Sequence, residues 1–116
     1  MSGESAIQAA VLRALNRGDT RLFRNNVGIA TTAAGKVRFG LHPGSGDLIG
    51  WTRTKITGDM VGRTVAVFTS LEVKGEGAKL RPNQRWWLEA VRLAGGIAAV
   101  VHSEKEAVDA CAPRRR

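Results

Sequence analysis

The feature that most constrains the fold is a strand–helix–strand pattern in the second half of the chain. A β-branched apolar run over Thr64–Val73 predicts a strand. The segment Pro82–Ala94 predicts a helix, because proline is favoured in a first turn and Gly95-Gly96 supplies a stop. The apolar run Ile97–Val101 is typical of a parallel strand. Two strands joined through a helix cross over in a right-handed sense, so the pattern predicts an α/β fold with some parallel pairing.

The first half of the chain adds a helix and a group of strands. Apolar residues recur at spacings of three and four within Glu4–Arg17, which predicts an amphipathic helix. Strand-like segments follow at Leu22–Val27, Lys36–Leu41 and Asp47–Trp51. A capping-box pattern predicts a last helix over Glu104–Cys111. Together these elements predict a mixed β-sheet flanked by helices.

Composition narrows the class of protein. The 116 residues include 18 basic and 10 acidic side chains, which gives a net charge of +8, and 43% of the residues are apolar. We expect one globular domain over residues 1–116, with a core of about residues 4–111 and a basic tail at 112–116. A single cysteine excludes an intramolecular disulfide and favours the cytoplasm. Neither a targeting segment nor a membrane span is predicted.

The excess of positive charge indicates a polyanionic partner, and nucleic acid is the usual one. Candidate contacts to phosphates lie at the end of the first predicted strand and in or beside later strands and loops. They are Arg24, Asn25, Asn26, Lys36, Arg38, Arg53, Lys55 and Arg63. Each alone fits an exposed surface side chain, whereas the set fits a basic rim around a DNA site.

An acidic and a basic residue lie at the end of the predicted strand Thr64–Val73. In Glu72-Val73-Lys74, strand periodicity puts the acid and the base on one side of the sheet. Asp47 opens another short strand 25 residues earlier, and pairing of the two strands would put the carboxylates side by side. A divalent cation relieves the repulsion between two such carboxylates. The alternative is an exposed ion pair between Glu72 and Lys74, worth about 0.5 kcal/mol.

Four blocks of sequence together resemble the virus-type replication-repair nuclease (VRR-NUC) domain of the PD-(D/E)xK nuclease superfamily. The blocks are Glu4 with Ile7-Gln8, the segment Gly44–Gly50, Glu72-Val73-Lys74, and Pro82-Asn83-Gln84 with Trp87-Leu88. Gly46-Asp47 stands where the superfamily has Pro-Asp, so the acid is kept. The resemblance implies a restriction-endonuclease-like mixed β-sheet flanked by helices, in the order α-β-β-β-α-β-α.

The resemblance also implies a DNA endonuclease that depends on Mg²⁺ or Mn²⁺. The implied metal ligands are Glu4, Asp47, Glu72 and the carbonyl of Val73. Lys74 would orient the attacking water, and Gln84 would reach the same site. Structural alternatives are open for two of these residues. Glu4 can favour the helix dipole, and Gln84 can satisfy a helix start.

Short members of the family resemble dimeric enzymes that cut branched DNA, notably four-way (Holliday) junctions. A homodimer in the cytoplasm of a bacterial or phage-infected cell is therefore expected. Three alternatives are open: a nicking or restriction-like nuclease on linear DNA, a non-catalytic basic module that binds nucleic acid, and a basic RNA-associated protein. The carboxylates at positions 47 and 72 count against the RNA-associated protein, because acids repel phosphates where no metal bridges them.

The tryptophans and histidines indicate less about the function of the chain. Trp86 and Trp87 are adjacent on the predicted helix and point about 100° apart, so we expect one of them to pack on the sheet. For the other, a dimer interface, a contact with DNA and a position at the edge of the core are all open. Trp51 is expected to be structural. His42 and His102 lack partners at ligand spacing, and we assign them no role.

Overall fold

The computed structural model describes residues 3–112 and has a mixed α/β fold. The chain divides between Thr54 and Lys55 into two compact units, each described by itself below. None of the helices within residues 3–112 is long and apolar enough to cross a membrane. Residues 113–116 of the predicted basic tail, with Arg114, Arg115 and Arg116, lie outside the described residues.

The first unit contains one helix and four strands. In chain order these are α1 (Gly3–Leu15), β1 (Thr20–Arg24), β2 (Gly28–Thr32), β3 (Gly35–Phe39) and β4 (Leu48–Thr52). The strands form two antiparallel pairs, β1 with β4 and β2 with β3. Within the β1–β4 pair Arg24 lies opposite Leu48, so the end of β1 lies beside the residue that follows Asp47.

Asn16, just after α1, fastens the helix to β1. Its Nδ2 donates to the carbonyl of Leu22 at 3.2 Å, and its Oδ1 accepts from the Leu22 N–H at 2.8 Å. One side-chain amide thus satisfies both main-chain groups of a strand residue. Within the β1–β4 pair the rings of Phe23 and Trp51 pack with centroids 5.6 Å apart, which agrees with the structural role expected for Trp51.

The second unit contains the predicted strand–helix–strand pattern. A short 3₁₀ turn (Gly58–Met60) is followed by β5 (Thr69–Val73), α2 (Pro82–Leu93), β6 (Ile97–Val101) and α3 (Glu104–Cys111). Strands β5 and β6 pair in parallel, with Glu72 opposite Val100. The buried core of this unit is small and consists of Leu88, Val91, Ala98 and Val101. The hydroxyl of Ser103 accepts from the Glu106 N–H at 3.1 Å, so the predicted cap of α3 is confirmed.

The α/β class is confirmed, and the element order roughly matches the predicted one. Five strands precede α2, whereas the sequence predicted four strand-like segments there and the order implied by the resemblance has three. Strand β2 was missed because Gly28–Thr32 has neither alternation nor a strong apolar run, and it forms through pairing with β3. Strand β5 is shorter than the predicted Thr64–Val73, and Val65 and Val67 remain exposed. Strand β4 pairs with β1, and β5 pairs with β6, in place of the pairing considered for the Asp47 and Glu72 strands.

Candidate active site

The end of β5 carries a row of polar side chains that α2 covers. Ser70 and Glu72 are two residues apart on the strand and both are half-buried. The indole Nε1 of Trp87 donates to the hydroxyl of Ser70 at 2.8 Å, and Nε2 of Gln84 donates to Oε2 of Glu72 at 2.9 Å. Gln84 and Trp87 lie three residues apart, so they share one side of α2. The helix is therefore fixed over this row by two side-chain hydrogen bonds.

Lys74 completes the row. Its Nζ lies 3.7 Å from Oε2 of Glu72, and only 15% of the Lys74 side chain and 30% of the Glu72 side chain are exposed. The Lys74 N–H donates to the carbonyl of Val101 at 3.0 Å, so strand-like pairing with β6 continues past the end of β5 and orients the lysine. Partial burial of both groups strengthens their attraction relative to an ion pair in water. The structure therefore differs from the fully exposed ion pair that was the simpler alternative.

Both the oxygen and the nitrogen of the Gln84 side-chain amide form hydrogen bonds. Its Oε1 accepts from the Arg81 N–H at 3.0 Å, which satisfies a main-chain donor at the start of α2. Since that N–H can only donate, the amide oxygen must face Arg81 and the NH₂ group must face Glu72. Gln84 thus satisfies the start of α2 and also contacts Glu72, and its role in an active site stays a prediction.

Both described contacts of the Glu72 carboxylate fall on Oε2. No side chain within residues 3–112 is seen to donate to Oε1. A carboxylate that is 30% exposed and contacted at only one described oxygen is suited to bind a cation while Gln84 holds its orientation.

Asp47 lies in the first unit, at the end of a loop that Asn25 holds. The Asn25 side chain is only 9% exposed. Its Nδ2 donates to Ser45 Oγ at 2.7 Å and to the Gly46 carbonyl at 2.8 Å, and its Oδ1 accepts from the Leu41 N–H at 3.0 Å. The Asn25 N–H also donates to the carbonyl of Asp47 at 2.9 Å. The Asp47 side chain is exposed on a main chain that Asn25 fixes.

The helix α1 carries Glu4, a second predicted metal ligand in the same unit as Asp47. Nη1 of Arg24 donates to Oε1 of Gln8 at 2.9 Å, which ties the end of β1 to the side of α1. Glu4 lies one turn before Gln8 and therefore on the same side of the helix, with its side chain exposed. Arg24 is thus a connection between α1 and β1 as well as a predicted phosphate contact.

The donor chemistry of the predicted ligands fits a hard divalent cation. Glu4, Asp47 and Glu72 supply carboxylates, and Val73 supplies a carbonyl oxygen. Mg²⁺ and Mn²⁺ prefer such oxygen ligands, and Mg²⁺ keeps several waters of its own. Over the described part of the chain, no group of three or more histidine, cysteine, aspartate or glutamate side chains is arranged to hold a metal ion. The metal site stays a prediction.

The remaining predicted DNA contacts lie on exposed segments. Lys36 and Arg38 lie on β3, and Asn26 follows β1. Arg53 follows β4 and forms a long, exposed ion pair with Asp19, whose Oδ1 is 3.9 Å from its Nε. Lys55 and Arg63 flank the 3₁₀ turn. Their contacts with DNA stay predictions.

Trp87 is the one of the two adjacent tryptophans that packs on the strand side of the helix, as expected for one of them. Trp87 is half-buried and packs edge-on against Phe68, with ring centroids 6.2 Å apart. Trp86 is 68% exposed. Sequence reasoning missed Ser70, and it assigned Asn25 to DNA contact without foreseeing that its side chain holds the loop. Ser70 shares the period-two row with Glu72 and Lys74, which was a usable signal, whereas nothing in the sequence distinguished the holding role of Asn25 from surface exposure.

A polar strand end held under a helix by a glutamine thus lies within a mixed α/β fold. The chain matches the VRR-NUC domain over residues 4–105 and belongs to that family. The family implies a nuclease of the PD-(D/E)xK type that acts on DNA, and such domains generally use divalent metals. No match to the chain was found among the curated proteins or the solved structures.

Proposed function

We propose that the protein is an Mg²⁺-dependent endonuclease, also served by Mn²⁺, that hydrolyses phosphodiester bonds of branched DNA such as four-way junctions. The observation that carries the proposal is the contact of Glu72 with both Gln84 and Lys74 at the end of β5. Metal ligation is assigned to Glu4, Asp47, Glu72 and the Val73 carbonyl, on the family pattern. The cytoplasm of a bacterial or phage-infected cell is the proposed location.

Each side chain at the end of β5 has a distinct task. Glu72 offers Oε1 as a ligand, while Gln84 holds the carboxylate through Oε2. A bound divalent cation supplies Lewis-acid polarisation and a more acidic water. Lys74 keeps its ammonium beside Glu72, where it orients the attacking water and stabilises negative charge on the phosphate. The partial burial of Lys74 makes its charge more effective than it would be in bulk water.

A homodimer follows from the proposed substrate. Two symmetric cuts on a four-way junction require two active sites, and each chain has one Glu-x-Lys pattern of the family type. A two-fold dimer is the simplest assembly that supplies both. Light scattering at micromolar concentration is expected to give the mass of a dimer, and the mass of a single chain would contradict this part of the proposal.

The central experiment incubates one labelled four-way junction with the protein in Mg²⁺, Mn²⁺, Ca²⁺ or EDTA. Cleavage is expected with Mg²⁺ and Mn²⁺, binding with little cleavage is expected with Ca²⁺, and no cleavage is expected with EDTA. The Glu72→Gln variant is expected to lose cleavage by at least about a hundredfold while binding DNA as well as or better than the unmodified protein. Glu76→Gln, at an exposed position after β5, is the matched control and keeps full activity.

The alternatives give different results in the same assay. A nuclease on linear DNA would cut duplex or single strands at least as fast as a junction when junction, flap, duplex and single strand are compared side by side. A non-catalytic binding module would cut none of them in any metal. Cleavage that continues in EDTA, or in Glu72→Gln, would overturn the proposed chemistry.

A further inference from the structure

The hairpin of β2 and β3 is a two-stranded ribbon in which each strand packs mainly on the other. The strands turn between Thr32 and Gly35, with Gly35 at a φ of 120° that favours glycine. Every residue of β3 is exposed, and so are four of the five residues of β2. Isolated two-stranded hairpins are only marginally stable, so a ribbon this exposed gains from a partner along its length.

The two sides of the ribbon differ in chemistry. Paired residues point to the same side, so the pairs Thr31 with Lys36 and Ile29 with Arg38 form one surface. We name this surface the basic side. It presents an ammonium, a guanidinium, a hydroxyl and the methyl groups of an isoleucine that is 56% exposed. On the other side the ring of Phe39 lies against Gly28, where an added Cβ would meet the ring at 2.6 Å, so this aromatic residue is used within the hairpin.

We propose that the β2–β3 ribbon enters the major groove of duplex DNA with its basic side facing the bases and phosphates. The major groove is about 12 Å wide and admits a two-stranded ribbon, whose strands lie about 4.8 Å apart. Lys36 and Arg38 suit phosphate oxygens or guanine edges, and the Ile29 methyl groups suit the thymine methyl. The chain's net charge of +8 complements this partner.

The base of the ribbon connects this surface to the loop of Asp47. Asn25 precedes β2 and accepts from the Leu41 N–H just after β3, while its Nδ2 donates to Ser45 and Gly46. One buried side chain therefore sets the direction in which the ribbon leaves the unit and also the path of the segment that ends at Asp47. DNA seated on the ribbon lies beside this loop, so the inference deepens the proposed nuclease function and rests on it.

The test measures binding of a labelled duplex in EDTA over a series of salt concentrations. The double variant Lys36→Gln/Arg38→Gln keeps side-chain length and removes two charges. It is expected to reduce the slope of log K against log salt by about 1.8, because each lost phosphate contact contributes about 0.9. The control Arg13→Gln/Lys105→Gln removes the same charge from exposed positions on α1 and α3, and its slope stays unchanged. Circular dichroism establishes that both variants are folded.

A second readout separates groove entry from contact with the backbone alone. Guanine N7 atoms lie in the major groove, so the unmodified protein is expected to protect them from methylation and the ribbon variant to lose that protection. A third variant, Ala34→Asp, puts an acid at the exposed turn of the ribbon and is expected to weaken binding.

The outcomes distinguish this inference from the proposed function. If the ribbon variant keeps both the salt slope and the N7 protection while the unmodified protein cuts DNA in Mg²⁺, the ribbon inference is overturned and the nuclease proposal stands. If the unmodified protein never cuts but the ribbon variant alone loses binding, the nuclease proposal is overturned and the ribbon remains a DNA-binding element. Unmodified protein that binds no duplex would overturn the ribbon inference, and the nuclease proposal would still be decided by the junction assay in Mg²⁺.

Discussion

Gln84 donates from Nε2 to Oε2 of Glu72 across 2.9 Å, and so joins the first turn of α2 to the end of β5. The same amide accepts from the Arg81 N–H. The position of a proposed metal ligand therefore depends on how the next helix begins.

Replacing Gln84 with alanine is expected to lower the cleavage rate by about tenfold to a hundredfold and to cost about 1 kcal/mol of unfolding free energy. The carboxylate loses its fixed orientation, and the helix loses a cap. Cleavage kinetics and urea unfolding measure the two effects. Asn83→Ala, the neighbouring exposed position, serves as the control. A variant that keeps the full rate would show that Gln84 serves the helix start alone.

Replacing Lys74 with methionine is expected to reduce cleavage by about 10² to 10⁴-fold, while DNA binding falls by no more than a few fold. Methionine keeps the length of a side chain that is only 15% exposed but removes the charge beside Glu72. Single-turnover cleavage and anisotropy titration separate the two quantities. Lys79→Met, at an exposed position in the following loop, keeps activity. Equal losses in the two variants would contradict a specific role for Lys74.

Replacing Asn25 with aspartate is expected to raise the Mg²⁺ concentration needed for half-maximal cleavage and to destabilise the protein by about 2 kcal/mol. An aspartate oxygen would face the Gly46 carbonyl, where the amide now donates, so the loop that ends at Asp47 would shift. Magnesium titration of the cleavage rate and urea unfolding measure these effects. Ala10→Asp adds the same charge at an exposed position on α1 that has no predicted DNA contact, and it is the control. A lower stability with an unchanged Mg²⁺ requirement would indicate a structural role only.

Gly50→Ala is expected to destabilise the protein by about 2 kcal/mol or more, because an added Cβ would clash with the Arg21 carbonyl on the paired strand. That carbonyl belongs to the main chain of β1, so it has little freedom to move. Gly18→Ala adds the same methyl group in open space and is expected to have little effect. Thermal unfolding of both variants measures the difference, and equal melting temperatures would contradict the close approach of β1 and β4.

The stability contributed by Glu106 is expected to disappear in acid. Hydrogen bonds from the side chain and main chain of His102 lower the pKa of Glu106 below its usual range. A lowered pKa stabilises the folded state above the usual glutamate range, and this contribution is lost as the pH falls through the lowered pKa. Urea unfolding from pH 7 to pH 3 should therefore show that the difference between the unmodified protein and Glu106→Ala shrinks below about pH 4. A difference between the two proteins that stays constant from pH 7 to pH 3 would contradict the prediction.

Much of the second unit could be predicted because residues next to the ends of its helix α2 and strand β6 determine where these elements begin and end. Pro82 begins α2, Gly95-Gly96 ends it, and β6 occupies the predicted Ile97–Val101. An added Cβ at Gly96 would meet the Phe68 carbonyl at 2.7 Å, so this glycine also permits close packing between the helix end and the strand. The spacing of Glu72 and Lys74 likewise placed both on one side of a strand.

The first unit was harder to predict because its structure depends on partners distant in sequence. Strand β2 has no pattern of its own and is defined by β3. Asn25 was interpreted as a surface contact for DNA, and that prediction is untested, but its amide is buried and its described donors and acceptor are used within the loop. An asparagine side chain can satisfy either role, so only the fold shows which main-chain groups lie within its reach.

Asn25 lies at the base of the ribbon, between the surface proposed to select DNA and the segment that ends at Asp47, so natural selection could act on these two features separately. If the proposed ribbon contact holds, substitutions or length changes between Gly28 and Phe39 would alter which DNA the protein prefers without displacing the segment that ends at Asp47, because the anchoring contacts all lie outside that interval. A change of target would then require the exchange of one hairpin and no change at the proposed cutting site.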